Sequence, residues 1–475
     1  MLENFIISHI IRSLPFSPNE GQRLLAAQLA HFLLSTTPRK TFVLKGYAGT
    51  GKTSMIAALV HAMQQMQQNC VLLAPTGRAA KVMSRYAGTP AFTIHKWIYR
   101  GAENIGADTG AGQFRLADNM LTHTLFIVDE ASMVSADRDN PVFGSGSLLD
   151  DLVRFVFSPP PGITITDSGN SLLLLGDDAQ LPPVGRTASP ALDPDFLGGY
   201  GLDVTAGVLT EVARQALDSG ILRNATLIRE GGIMEIVEDT DIHLVPPAQM
   251  QEEIERAYAE SGVAETIILT RSNKRANMYN RGIRASVLWK EGLISAGDRL
   301  MVSRNNYFWT AQYDNLPFLA NGDTLEVERL GGETEMYGFN FINASLRSLD
   351  YDWEIDALLW LDTLNTPSPE DNYRLYKQLY ERIAEDYPEI RSRREKDRLI
   401  RQSPYLNALQ IRFAYAVTCH KAQGGQWDNV FIDEQRRTQD ADNEEDETER
   451  RRWLYTALTR AKKAVFLPDF TPRPD

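Results

Sequence analysis

Cysteine is almost missing from this chain: 475 residues contain two, Cys70 and Cys419. Neither has a second cysteine or a histidine at metal-ligand spacing, which argues against a structural zinc site. So sparse a use of thiols suits a reducing compartment. No run of about 18 apolar residues occurs, so no membrane-spanning helix is expected. The stretch Met1–Pro15 carries Glu3 and Arg12 among its apolar residues and lacks the basic-then-apolar order of a secretion signal. Positive charge is also short: 49 Lys and Arg stand against 62 Asp and Glu, a formal balance of −13. That balance disfavours a surface coated for nucleic acid, but it does not speak to a local groove. A soluble cytoplasmic protein, with no membrane partner, is the expectation.

What is present reads as an α/β protein. Apolar residues make 43% of the chain and charged residues 23%, the balance of a globular fold, and the length points to about three domains. The short apolar runs Thr41–Leu44, Val71–Ala74, Leu125–Val128 and Leu172–Leu175 are each followed by turn residues and, mostly, a helical pattern. Buried parallel strands with crossover helices have this texture. It returns with Thr266–Thr270, Ile411–Val417 and Val430–Ile432. Between these, 295–345 is rich in Asn, Gly and aromatics and predicts a small antiparallel β-unit. Residues 351–402 read as helical and charged, with six basic residues in Arg391–Arg401. Residues 440–449 hold seven acidic residues in ten and are expected to form a surface loop.

Gly46-Tyr47-Ala48-Gly49-Thr50-Gly51-Lys52-Thr53 fits the phosphate-loop pattern, and it sits between a strand and a helix-like run beginning at Ser54. Glycines let backbone N–H groups wrap phosphates, Lys52 brings a point charge to the β/γ oxygens, and the Thr53 hydroxyl suits Mg²⁺. The strand Leu125–Val128 ends in Asp129-Glu130, where an open α/β sheet places ligand groups. Asp129 suits the metal, and Glu130 suits orienting and deprotonating a water. The strand Leu172–Leu175 leads into Gly176-Asp177-Asp178-Ala179-Gln180, which places Gln180 to sense a γ-phosphate. Arg214 and Arg460 are candidates for stabilising phosphoryl-transfer charge.

In order, these segments resemble the motifs of superfamily 1 helicases, in particular the 5′→3′ subgroup of RecD-like and Dda-like enzymes. Gly46–Thr53 matches motif I and Ala74-Pro75-Thr76-Gly77-Arg78-Ala79-Ala80 motif Ia. Thr93-Ile94-His95 matches the threonine-histidine motif that follows. Val128–Val134 matches motif II, Gly176–Gly185 motif III and Arg214-Gln215 motif IV. Val417-Thr418-Cys419-His420-Lys421-Ala422-Gln423-Gly424 matches motif V. Leu454-Tyr455-Thr456-Ala457-Leu458-Thr459-Arg460-Ala461 matches motif VI. Phe16–Gln22 resembles the adenine-reading glutamine motif. Two positions depart from the pattern: Gly424-Gly425-Gln426 stands where the family often has Gly-Ser-Glu, and Ala213 replaces an aromatic found in some relatives.

The resemblance implies two RecA-like P-loop NTPase lobes, a small β-rich SH3-like insert and a helical insertion. The first lobe is expected over 1–96 and 121–205, a short pin-like insert over 97–120, the second lobe over 206–294 and 404–475, and the β-rich insert with its charged extension over 295–403. It implies ATP hydrolysis with Mg²⁺ by Lys52, Glu130, Gln180, Arg214 and Arg460. Nucleotide would be held by Gln22, Gly46, Ala48, Gly49, Thr50, Gly51, Lys52, Thr53, Ser54 and Gly424, and the metal by Thr53 and Asp129. Single-stranded DNA and duplex junctions would be the partners, contacted by Thr76, Arg78, His95, Thr418, His420 and Lys421, with Phe114 near the tip of a strand-separating pin. A monomer is expected, nucleoid-associated and bacterial, with 351–402 open to a protein partner. A DNA-binding ATPase switch or single-strand translocase without strand separation, and an RNA-directed motor, fit the same motifs.

Overall fold

The computed structural model describes residues 2–100, 114–138, 143–212, 219–235, 241–310, 313, 318–351, 353–434 and 444–469. In chain order the first strands are β1 (Lys40–Gly46), β2 (Asn69–Ala74), β3 (Ala91–Thr93), β4 (Tyr99–Arg100), β5 (Arg115–Leu116), β6 (Thr124–Val128), β7 (Ser171–Gly176) and β8 (Asp203–Leu209). All but β4 and β5 form one parallel sheet ordered β3-β2-β6-β7-β1-β8. Every residue of β6 and β7 is buried. This is why these strands are continuous apolar runs rather than alternating ones: helices cover both faces. The strands β4 and β5 pair as the antiparallel base of the 97–120 insert, whose residues 101–113 lie outside the described set.

The chain continues with β9 (Ile242–Val245), β10 (Thr266–Thr270), β11 (Arg299–Val302), β12 (Thr324–Met336), β13 (Phe339–Ser348), β14 (Glu354–Trp360), β15 (Leu409–Phe413), β16 (Ala416–Thr418), β17 (Trp427–Asp433) and β18 (Ala461–Pro468). A second parallel sheet is ordered β16-β10-β17-β18-β9. The five strands β11 to β15 close into a barrel. Along most of β13 buried residues alternate with more exposed ones, as in a barrel filled by its own side chains. Helices Pro369–Ala384 and Arg393–Arg401 pack on the barrel through Leu379, Ile383 and Ile400, against Phe341 and Trp360. The architecture is two RecA-like lobes with an SH3-like barrel and a helical extension.

Four expectations need correction. Residues 206–209 belong to the first sheet, because β8 pairs with β1 along its whole length. Ile411–Val417 is two strands: β15 closes the barrel and β16 joins the second sheet. The break has a cause, since Asn280 Oδ1 accepts both the Tyr415 N–H at 3.0 Å and the Ala416 N–H at 2.8 Å, ending one ladder before the next begins. The segment 351–402 is not wholly helical, as it opens with barrel strand β14. The acidic stretch is helical from Glu444 onward, in a helix running to Leu458. There Glu447 pairs with Arg450 and Arg451 at helical spacing, which offsets the like-charge repulsion that favours a loop.

Candidate functional site

The phosphate loop depends on two left-handed backbone positions, Gly49 at φ +75° and Gly51 at φ +88°, before the helix Lys52–Gln65. A Cβ on Gly51 would lie 2.7 Å from Gln22 Nε2, so glycine is required there for space as well as for φ. Gln22 is buried and has both ends of its amide engaged. Nε2 donates to the Thr50 carbonyl at 3.1 Å, and Oε1 accepts the Asn19 N–H at 3.1 Å in a capping box. The glutamine expected to read adenine thus braces the loop from behind. Gly46 and Ala48 begin the loop, Thr50 is fully buried and bonded to the Tyr47 carbonyl, and Thr53 and Ser54 are half-buried in the first helical turn. Lys52 Nζ donates to the Gly46 and Tyr47 carbonyls and lies 3.9 Å from Asp177 Oδ2.

The strand β6 delivers Asp129 and Glu130 opposite Lys52. Glu130 has φ +51°, a left-handed conformation unusual for a side chain of its size, and its N–H donates to Asp129 Oδ1 at 2.8 Å. Burial pushes both carboxyls above the usual carboxylate range. For Glu130 the charge of Arg460 opposes that rise. Arg460 is 3% exposed and reaches across from the second lobe, with Nη1 3.9 Å from Glu130 Oε1. Its guanidinium is held by the Thr456 and Gly425 carbonyls and by Thr459 Oγ1. Gln180 is also buried, and its Oε1 has no hydrogen-bond partner among the described residues. The structure therefore brings Lys52, Asp129, Glu130 and Arg460 together. Arg214, like Ala213 beside it, lies outside the described residues.

Residues not singled out from sequence join the two lobes here. The Tyr455 hydroxyl accepts the Ala48 N–H at 2.8 Å and donates to Asp177 Oδ2 at 2.6 Å. The Leu181 N–H donates to Thr456 Oγ1 at 2.9 Å, and Gln423 Nε2 donates to the Leu181 carbonyl at 2.7 Å. All of these positions fall inside the quoted motif runs. The signal was present, but spacing alone does not say which member of a run crosses between lobes.

A second junction lies between the lobes and the barrel. Thr76, Arg78, His95, His420 and Lys421 line one cavity of about 240 Å³. Arg78 stacks over Trp427 at 3.7 Å and donates to the Gln426 carbonyl at 3.3 Å. Gly424, at φ +74°, lets this turn approach Ala79, which a Cβ would meet at 2.7 Å. Its position is thus an interlobe contact against Ala79 and Thr76. Thr76 Oγ1 caps the helix Gly77–Ala87. Burial lowers the His95 imidazole to about 4, so it is neutral near pH 7 and can meet a strand only as a neutral group. Lys421 is pushed down to about 8. Thr418 ends β16 beside this wall.

Phe114 does not stand at an exposed tip. It is 6% exposed, at the base of the insert, and packs on Phe143, Tyr307 and Phe318 at ring separations of 5.2, 4.6 and 5.7 Å. Burial of a whole ring outweighs what one stacked base would offer.

An AAA domain family model matches residues 18–156, and a UvrD-like helicase C-terminal domain model matches residues 413–467. Uncharacterized protein R530 of Acanthamoeba polyphaga mimivirus is 22% identical over 94% of this chain and 99% of its own length. The ATP-dependent RecD2 DNA helicase of Deinococcus radiodurans is 29% identical over 35% of this chain, which spans about a fifth (19%) of that protein. A crystal structure of a Bacteroides Pif1 helicase with ADP-AlF3 and ssDNA superposes at a TM-score of 0.48, with 16% identity, over 96% of this chain and 93% of that one. The first matched segment contains the phosphate loop and the Asp129-Glu130 strand end, and the second contains Arg460. Among the described residues no helix is long and apolar enough to cross a membrane.

Proposed function

We propose that this protein is an ATP-driven motor that moves 5′→3′ along single-stranded DNA and unwinds the duplex ahead of it. The observation that carries the reading is the position of Arg460, a second-lobe guanidinium 3.9 Å from Glu130 at the end of a first-lobe strand. An ATP site built from both lobes makes hydrolysis sensitive to their separation, and the cavity that gathers the strand-contact residues is likewise lined from both lobes, together with the barrel.

Chemistry is in-line attack of water on the γ-phosphate of ATP. Glu130 orients the water and takes its proton, and its raised proton affinity makes it a stronger base than an ordinary glutamate. Lys52 and Arg460, with Arg214, stabilise charge that spreads over the phosphate oxygens as the bond to ADP breaks. Thr53 and Asp129 would hold Mg²⁺. Asp129 fits that role as a half-buried carboxylate with no ion pair among the described residues, facing Lys52. When bound, the ion supplies further neutralisation of phosphate charge. Opening and closing of the lobes would then step Thr76 and Arg78 against His420 and Lys421 along the strand.

The buried setting of Phe114 favours a second reading, translocation without strand separation, because the described part of the insert offers no free aromatic wedge. One experiment separates the two. Strand displacement is measured on duplexes with a 5′ or a 3′ tail, with Lys52→Ala as control. Unwinding from the 5′ tail alone, lost in the variant, supports the motor. ATP hydrolysis stimulated by single strands without unwinding of either duplex supports the translocase. Competition between DNA and RNA strands of equal length tests the RNA alternative.

A further inference from the structure

Leu181 belongs to the first lobe by chain and to the second by packing. One turn, Asp177–Gln180, separates it from the end of β7, and the Gln180 N–H closes that turn on the Asp177 carbonyl at 3.3 Å. Its side chain is 1% exposed and lies in the apolar core that includes Ile221, Val417, Trp453 and Leu458. Among the described residues buried in that core, it alone comes from the first lobe. The second lobe also holds its backbone. The Leu181 N–H donates to Thr456 Oγ1 at 2.9 Å, and its carbonyl accepts from Gln423 Nε2 at 2.7 Å. Gln423 and Thr456 are themselves buried.

What this anchor positions is the residue before it. Gln180 is buried, and its Oε1 is enclosed with no hydrogen-bond partner among the described residues. A buried amide oxygen is costly to leave without a donor, and a ligand can supply one. The attacking water can do so: Glu130 takes one of its protons, and the second O–H remains to donate. An acceptor on a turn is aligned only as well as the turn is held. Here the turn has one end in a first-lobe strand and the other in the second-lobe core, so Gln180 keeps its place only while Leu181 is seated.

We propose that Leu181 and Gln423 are positioning residues for hydrolysis. Leu181 plugs the first-lobe turn into the second lobe, Gln423 holds its carbonyl, and together they set Gln180 Oε1 to accept from the attacking water. This rests on the reading of the protein as an ATP-driven motor. Both residues act through Gln180 and not on the nucleotide itself.

The test is steady-state ATP hydrolysis by the full chain with saturating oligothymidylate, because Gln423 also lines the strand cavity. Gln423→Met keeps the length of the side chain and removes its donor. It should lower kcat about 10-fold and leave KM for ATP within about 2-fold, the pattern of a lost transition-state alignment. Gln423→His, whose ring can still present an N–H to the Leu181 carbonyl, should recover most of the rate. The deciding measurement is a double-mutant cycle with Gln180→Ala. Adding Gln423→Met to that variant should lower kcat no further, since the acceptor it aligns is gone. Leu181→Val, which shortens the plug and keeps both backbone bonds, runs the same cycle if Gln423→Met fails to fold. A second loss of the same size in the double variant overturns the proposal. So does a raised KM at unchanged kcat, which makes Gln423 a nucleotide contact, and so does a Gln180→Ala variant with the wild-type kcat. Weaker strand binding with a normal kcat at saturation makes Gln423 a strand contact and overturns it too. All of these leave the motor reading intact. A wild type that hydrolyses no ATP overturns the motor reading and this inference with it.

Discussion

The Tyr455 hydroxyl accepts the backbone N–H of Ala48 at 2.8 Å, a bond from the second lobe to the phosphate loop of the first. The donor is one of the N–H groups that a phosphate loop presents to its nucleotide. Tyr455 also donates to Asp177, which is itself near Lys52, so the contact ties three parts of the site into one network.

Nucleotide and Tyr455 should therefore compete for the Ala48 N–H. Tyr455→Phe keeps the ring and removes both hydrogen bonds, a difference of about 1 kcal/mol per neutral bond. Titration with a fluorescent ATP analogue should show binding tightened roughly 3- to 10-fold, by the same magnitude. Weaker binding would mean that the hydroxyl stays on the loop when nucleotide is bound.

Glu130 is the proposed base. Glu130→Gln should lower single-strand-stimulated ATP hydrolysis by about 10²- to 10⁴-fold while analogue binding persists. Because burial raises the folded-state proton affinity of this carboxyl, the rate should fall on the acid side at a higher pH than an ordinary glutamate would give. A rate that persists in the variant would remove Glu130 from the chemistry.

Arg460 acts on the same profile in the opposite direction. Its charge holds the Glu130 carboxyl down against burial. Arg460→Ala should lower hydrolysis by about 10³-fold, as loss of an arginine at the γ-phosphate does. It should also move the acid limb of the remaining activity to higher pH. A loss of rate with no movement of that limb would mean that the 3.9 Å approach to Glu130 does not persist during turnover.

The phosphate loop and the Asp129-Glu130 strand end were legible because each is a local pattern: the strand, the turn glycines and the helix are contiguous, and one short window contains the chemistry. Chain paths between bodies were not local. That β8 returns to the first sheet, and that β15 belongs to the barrel while β16 belongs to a lobe, depends on pairings with β1 and β11 far away in sequence. Phe114 shows the same limit. An aromatic in a glycine-rich insert reads as exposed until Tyr307 and Phe318, some 200 residues later, are found packed on it.

Asp323 offers a prediction about stability rather than turnover. It is 3% exposed at the head of β12, and burial raises its carboxyl to about 6, with Lys96 opposing the rise and its own bond from the Ala320 N–H helping to hold the charge. In the unfolded chain the same carboxyl titrates near its ordinary value of 3.8. The folded protein thus binds the proton more tightly, so its contribution is fully present below the unfolded value and is lost as pH rises through about 6. Asp323→Asn keeps an acceptor for the Ala320 N–H and removes the charge. Thermal melting should show the variant more stable than wild type above neutral pH, by about 3 kcal/mol, with the advantage vanishing towards pH 4. A variant that is less stable at every pH would show that attraction to Lys96 outweighs desolvation at this position.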